Sequence, residues 1–265
     1  MADFEIRGSE KYIFNSNDRE VLDLHFDVVR RSTGNVTVIL EGQKHLEVTM
    51  EVTVQEDANV RFMIINHVDN SVALKEHFAL ARNSEVLEAH CELEKHDVII
   101  GSNYDLNEEG ARLTVQTASL SGGHKVFMQK TFHHKGNTEA HVNNYGVVWA
   151  DGHCELIVEN TIDKGSHNAS THQTSRLLTY DKTAKGRILP ILYIYDNEVQ
   201  ASHAASLGQP DDEQVYYLQS RGLTRPEAVQ LIVKGYLLPI TTVMGDDELE
   251  KVLTEEIEQK VQRAC

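Results

Sequence analysis

The sequence predicts a mostly β chain: a right-handed parallel β-helix, or β-solenoid, followed by a C-terminal α-helical segment. Three observations predict it. Apolar and polar residues alternate along strand-length runs, most strictly from Leu46 to Val54. Small residues in turn-type clusters recur at a fixed spacing, with Ala58, Ser84, Gly110 and Gly136 each 26 residues apart. From Asp211 the pattern turns into capped stretches of helical periodicity. Alternation gives a strand one buried and one wet face. A fixed period of this size marks stacked repeats, and 26 residues is close to one coil of a β-helix.

The elements follow in order. Residues 1–32 are mixed and read as an N-terminal cap, with strand-like runs at Tyr12–Phe14 and Val21–Phe26. Residues 33–209 form the expected β-helix core. Val36–Leu40, Leu46–Val54 and Val60–Ile65 open it, and Ala140–Val148, Glu155–Val158, Ser175–Tyr180 and Ile188–Tyr195 close it. The last of these reads as a buried apolar run. Residues 210–265 form the helical segment. Asp211 with Gln214, and Thr224 with Glu227, have the spacing of helix N-caps, Pro226 fits a first turn and Gly222 a stop. A third helix is expected from Asp246 or Asp247, with Leu249, Val252, Leu253, Ile257 and Val261 on one stripe.

Composition narrows the function. The 265 residues carry a net charge of −16 with no offsetting basic cluster, so nucleic acid and anionic membrane surfaces are poor partners. No run of about 18 apolar residues is present, and the N-terminus shows no apolar signal region. The three cysteines, Cys91, Cys154 and Cys265, are far apart and odd in number, which points to a reducing, cytoplasmic compartment rather than a disulfide framework. There is no CxxC. The Gly-Gly pair in Ser121-Gly122-Gly123-His124 reads as a turn and lacks the Lys-Ser/Thr ending of a phosphate-binding loop, so nucleotide hydrolysis is not expected of this chain.

Few side chains stand out chemically. His203 lies among Ala201, Ser202, Ala204 and Ala205, which leave room for close approach, and a neutral imidazole ligates iron. A lone histidine beside a core is, by itself, more often hydrogen-bonded structure. Cys91 and Cys154 each follow a histidine, in a repeated His-Cys-Glu-Leu, but neighbours on a strand face opposite sides, so each reads as a small buried hydrophobe. Cys265 is expected at a mobile terminus. Seven histidines between positions 124 and 172 show no metal-site spacing and read as scattered along the rungs.

One long pattern adds a family to this reading. Gly186-Arg187, Leu189-Pro190-Ile191-Leu192, Val199-Gln200-Ala201-Ser202-His203, Gly208, Asp212-Glu213-Gln214, Tyr217-Leu218, Ser220-Arg221-Gly222 and Glu227-Ala228 resemble the C-terminal signature of the SufB/SufD family. These are scaffold subunits of the SUF iron–sulfur cluster assembly machinery. Ser175, or Thr174 if the following loop differs by one residue, stands where a SufB-like subunit has a cysteine, so the resemblance is closer to SufD. It implies a non-enzymatic scaffold. The helical segment would dock a SufC-type ATPase, and the β-domain would pair with a SufB-like subunit or with itself. His203 would be a ligand to a transient iron–sulfur cluster at the subunit interface. The alternative is a carbohydrate-active enzyme on a β-helix, for which no paired carboxylates stand out.

Overall fold

The computed structural model describes residues 2–180 and 182–264. Cys265 lies outside them. Strands β1 (Ala2–Ile6), β3 (Val21–Val28), β5 (Leu46–Val54), β7 (Val72–Leu80), β9 (Val98–Leu106), β11 (His124–His133), β13 (His153–Ile162) and β15 (Lys185–Ile194) form one parallel sheet in that order. Strands β2 (Glu10–Asn15), β4 (Thr33–Gly42), β6 (Asn59–Val68), β8 (Glu85–Glu92), β10 (Arg112–Ser121), β12 (Glu139–Val148), β14 (Ser170–Thr179) and β16 (Gln200–Gly208) form the other. Successive strands alternate between the sheets, so the chain winds as a β-solenoid. Residues 2–32 supply the first strands of both sheets.

Like positions stack from coil to coil. On the odd sheet Leu22, Val48, Leu74, Ile100, Phe127, Leu156 and Ile188 form one inward column. Each coil turns at a residue with positive φ: Arg31, Asp57, Asn83, Gly110, Asn137 and Asn168. Asn, Asp and Gly tolerate that left-handed backbone best. After each of them the chain turns inward, and Ala58, Ser84, Ala111, Thr138 and Ala169 are buried there. The 26-residue count is therefore correct through Ser84 and slips afterwards. Gly110 and Gly136 precede the residues that occupy the equivalent inward places, because later coils are longer. Ile100 pairs with Phe127, Phe127 with Leu156 and Leu156 with Ile188, offsets of 27, 29 and 32 residues.

The two sheets differ in what covers them. The outer face of the odd sheet meets solvent, so β5 alternates buried and exposed. The outer face of the even sheet lies under the C-terminal helices, and Phe62–Asn66 are buried without interruption. A parallel strand covered on both faces loses its polar alternation. The cover consists of α1 (Asp212–Ser220), α2 (Arg225–Leu237), a 3₁₀ turn (Leu238–Thr242) and α3 (Asp247–Ala264). Val215, Val229, Val233, Leu253, Ile257 and Val261 pack on Met63, Ile65, Ala89, Cys91, Leu120 and Val147 in a second core. Asp211 accepts N–H bonds from Glu213 and Gln214, and Thr224 and Glu227 form a reciprocal capping box. Asp246 Oδ1 accepts from the N–H groups of Glu248 and Leu249, both at 3.0 Å, and starts α3. Val252 departs from the expected stripe. It is 58% exposed, because α3 rests on the sheet along the narrower line Leu253, Ile257 and Val261.

The interior changes character along the axis. At the N-terminal end it is aromatic: Phe4, Tyr12, Phe26, Phe62, Phe78 and Tyr104 follow one another with ring centroids 4.6–5.6 Å apart. Past Tyr104 it becomes polar, with Thr117, Gln129, Thr131, His133, Asn144, Asn160, Thr171, Gln173 and Ser175 all buried. Gln129 donates to Thr117 Oγ1 at 3.2 Å, and Asn144 donates to Gln129 Oε1 at 2.7 Å.

His133 gives this interior a measurable pH response. Its Nδ1 meets Thr138 Oγ1 at 2.8 Å and its Nε2 has no partner. Burial, helped by the neighbouring His134, lowers its pKa from 6.5 to about 4. The unfolded chain then binds the extra proton in the window from 6.5 down to about 4. The neutral ring's contribution is full above that window and is lost as pH falls through it. The contribution is worth about 3 kcal/mol. A His133→Gln variant is expected to lose about that much less stability than the parent on acidification, as read by urea unfolding. Parallel pH profiles for the two proteins would refute this.

Candidate functional site

The solenoid ends in an open coil. β15 and β16 are the last strands of their sheets, so one backbone edge of each is unpaired. All of β16 is exposed, including Leu207, and Tyr193, Ile194 and Tyr195 at the end of β15 are exposed apolar side chains as well. This corrects the expectation that Ile188–Tyr195 is buried. Its apolar pattern is that of an inner strand, but no further rung covers it. Exposed strand edges of this kind pair with another chain.

His203 sits on this end. Register places it above Gln173, in the inward column that runs Phe62, Glu88, Val115, Val142, Gln173, His203. Gln173 is buried, donating to the carbonyls of Val158 at 3.2 Å and Ile191 at 3.0 Å. His203 is exposed because the coil that would cover it is missing. Ser202 faces the other way and bonds to His172 Nδ1 at 2.7 Å. The imidazole is thus the terminal inward group of a polar interior, flanked by alanines and free to meet a second surface. Ser175 lies one rung further in, buried, with its Oγ unpartnered, whereas Thr174 points outward. Neither carries a thiol.

The cysteines are placed elsewhere. Cys91 faces the helices and Cys154 the solenoid interior, on different sheets. Burial raises both thiol pKa values, that of Cys154 to about 11, so neither is a ready thiolate. Their reading as small buried hydrophobes fits.

Two clusters among the described residues bring three metal-ligating side chains within 4.8 Å of one another. One is on the outer face of the odd sheet, where His124 and His153 stack at 4.6 Å beside Glu155. Arg187 already pairs with Glu155 at 3.2 Å. His141 and His172 also stack, while His134 bridges Asp105 and Asp163 at 2.7 and 2.8 Å. Four of the seven histidines thus meet in stacked pairs on adjacent rungs, so the expected scatter holds only for the other three. The second cluster, Glu76, Glu88 and His90, is inside the solenoid. Sequence reasoning missed it, although a signal was there: Glu76 and Glu88 stand at inward positions of otherwise apolar alternations, Val72-Leu74-Glu76-Phe78 and Val86-Glu88.

The helical layer offers a third surface. Tyr216 and Tyr217 on α1 and Leu231 on α2 are exposed, at 74%, 57% and 49%. Among the described residues no helix is long and apolar enough to cross a membrane.

The chain is thus a parallel β-solenoid with a docked helical layer, an open last coil and a histidine on that coil. The family profile described as "SUF system FeS cluster assembly, SufBD core domain" matches residues 13–236, and the chain belongs to the SufB/SufD family. It is 26% identical over 262 residues to the iron-sulfur cluster assembly protein SufD of Bacillus subtilis, covering 94% of this chain and 60% of that protein. It is also 26% identical over 199 residues to SufD of Escherichia coli, covering 71% and 46%. The chain therefore spans about half the length of these relatives. Family membership favours the SUF reading over the alternative of a carbohydrate-active β-helix.

Proposed function

We propose that the chain is a non-enzymatic, cytoplasmic scaffold subunit of a SUF-type iron–sulfur assembly complex. The helical layer docks an ABC-type ATPase through Tyr216, Tyr217 and Leu231. The open coil pairs with a SufB-like subunit or with a second copy across β15 and β16. His203 lends a ring nitrogen to a cluster that forms transiently at that junction, the cluster being cargo. Any thiolate ligand there comes from the partner, since Ser175 and Thr174 supply none. The observation that carries this reading is the uncovered last coil with His203 as its terminal inward group.

The test is co-purification with the SufC-type ATPase and the SufB-like subunit of the same organism, with light scattering on the eluted complex. Tyr216→Asp/Leu231→Lys is expected to lose the ATPase while keeping the scaffold pair. His203→Ala is expected to fold with stability within about 0.5 kcal/mol of the parent, to keep both partners, and to lose cluster output. A chain that stays monomeric with both proteins present sinks the scaffold role. Undiminished cluster output from the alanine variant sinks the ligand role alone.

A further inference from the structure

The interior cluster Glu76, Glu88 and His90 brings two carboxylates and an imidazole together in the buried interior. Glu76 comes from β7, and Glu88 and His90 from β8 across the same coil. All three side chains are fully buried. His90 Nε2 lies 2.9 Å from Glu76 Oε1 and 3.5 Å from Glu88 Oε1. One imidazolium offsets one carboxylate, and burial together with the neighbouring Glu76 pushes the Glu88 carboxyl pKa up, so the second charge is relieved in part by protonation. The nearest buried ammonium, Lys125, is committed to Glu92, donating to its carbonyl at 2.8 Å. Burying a carboxylate without a counter-charge costs several kcal/mol.

The hydrogen bonds are arranged so that ligand atoms are left over. Ser102 Oγ donates to Glu76 Oε1, and Tyr104 Oη donates to Glu88 Oε2. Each carboxylate is thereby oriented by a hydroxyl on one oxygen. The other oxygens, Glu76 Oε2 and Glu88 Oε1, accept no hydrogen bond although both are buried, Glu88 Oε1 having only the His90 ring at 3.5 Å, and His90 Nδ1 likewise has no hydrogen-bond partner. Outer-shell hydrogen bonds of this kind orient metal-ligating carboxylates. One oxygen of each carboxylate and one ring nitrogen of His90 lie within 4.8 Å of one another, and the nitrogen that faces both carboxylates is Nε2. Opposed ligands at about 2.1 Å from one ion span about 4.2 Å, so small side-chain adjustments close the site.

We propose that Glu76, Glu88 and His90 bind a divalent transition-metal cation inside the solenoid. Two carboxylate oxygens and one imidazole nitrogen suit Zn²⁺, Fe²⁺, Co²⁺ or Mn²⁺, with water filling the remaining positions. The site stands four strands from His203 on the even sheet, about 19 Å away, so it is separate from the open coil and does not depend on the function assigned there. Its N-terminal side is walled by Met50, Phe62 and Ile64. On its other side the interior is polar, and Asn144, Asn160 and Gln173 each keep an unpartnered oxygen between the cluster and the open end.

The test uses cobalt as the probe and first removes the competing surface cluster. The full chain carrying His124→Ala/His153→Ala is produced in cobalt-supplemented medium and desalted in the presence of EDTA, which strips exposed ions. Retained cobalt with visible d–d bands and nitrogen hyperfine coupling is expected. Adding Glu76→Gln/Glu88→Gln, which preserves side-chain shape, is expected to reduce retained cobalt by more than about tenfold at an unchanged circular dichroism spectrum. If those substitutions prevent folding, the spectrum of the His124→Ala/His153→Ala protein decides alone. Cobalt-free protein, cobalt without nitrogen coupling, or cobalt retained by a folded Gln/Gln variant would each overturn the site.

Discussion

Phe62→Ala is expected to lower the unfolding free energy by about 3–5 kcal/mol, the cost of emptying a fully buried aromatic position. Phe62 is 0% exposed and makes edge contacts with Phe26 and Phe78, ring centroids 5.4 and 5.6 Å apart. Its neighbours cannot close the gap, because the backbone spacing on either side is fixed by ladder pairing to β4 and β8. Close-packed interiors relax only in part around such a deletion. The next inward residue in the column is Glu88, so the cavity also opens a route for water to a buried carboxylate. Chemical denaturation measures the loss. Val252→Ala, at an exposed helical position, is the control and should stay within about 0.5 kcal/mol. Equal stability of the two variants would mean that the aromatic stack does not carry the N-terminal half of the fold.

Lys125→Met is expected to cost a similar amount, about 3–5 kcal/mol, for an electrostatic reason. The ammonium is completely buried, 4.0 Å from Glu92 Oε2 and 2.8 Å from the Glu92 carbonyl. Burial lowers the Lys125 pKa, and burial raises that of Glu92, so each holds its charge by virtue of the other. Without Lys125, Glu92 keeps only the Asn66 Nδ2 donor at 3.0 Å. Its carboxyl pKa then rises further above the unfolded value. A raised carboxyl pKa means that the folded state binds the proton in the window above the unfolded pKa, so stability falls as pH rises through it. The deficit of Lys125→Met is therefore deeper at about pH 8 than at about pH 5. Lys125→Met/Glu92→Gln removes both charges and is expected to recover more than half of the loss. A single variant as stable as the parent at both pH values would show that the pair contributes nothing.

The parts of the fold legible in the sequence were those with a strong period or a local chemical cause. Leu46–Val54 alternates because one sheet face is wet, and Ala58 and Ser84 recur because each coil turns there in the same way. Asp211, Thr224 and Asp246 announce the helices through their caps. The lengthening of later coils was not legible, since loop insertions leave the strand pattern intact and shift only its spacing. Nor was the incomplete burial of Ile188–Tyr195, half-buried to Leu192 and exposed beyond it, because an apolar strand reads alike whether or not another rung follows it. The site was legible in part. His203 was found through the family signature, but its place at the end of an inward column needs the register of six strands. The Glu76, Glu88 and His90 cluster needs two strands from opposite sheets to meet, and alternation says which face a residue takes without saying whom it faces.

The two ends of the solenoid are unlike, and this bears on how the proposed pairing could proceed. At one end Phe4, Tyr12 and Phe14 plug the interior against Phe26, and the terminal strands are only 5 and 6 residues long. At the other the last coil carries small inward side chains, Ala201 and Ala205, around His203. A head-to-tail joint would leave a fresh open edge after every addition and grow into a filament. A joint between two open ends consumes both edges at once and leaves two plugged ends facing outward. If two open coils pair in the proposed way, each chain spends its β15 and β16 edges in that one joint.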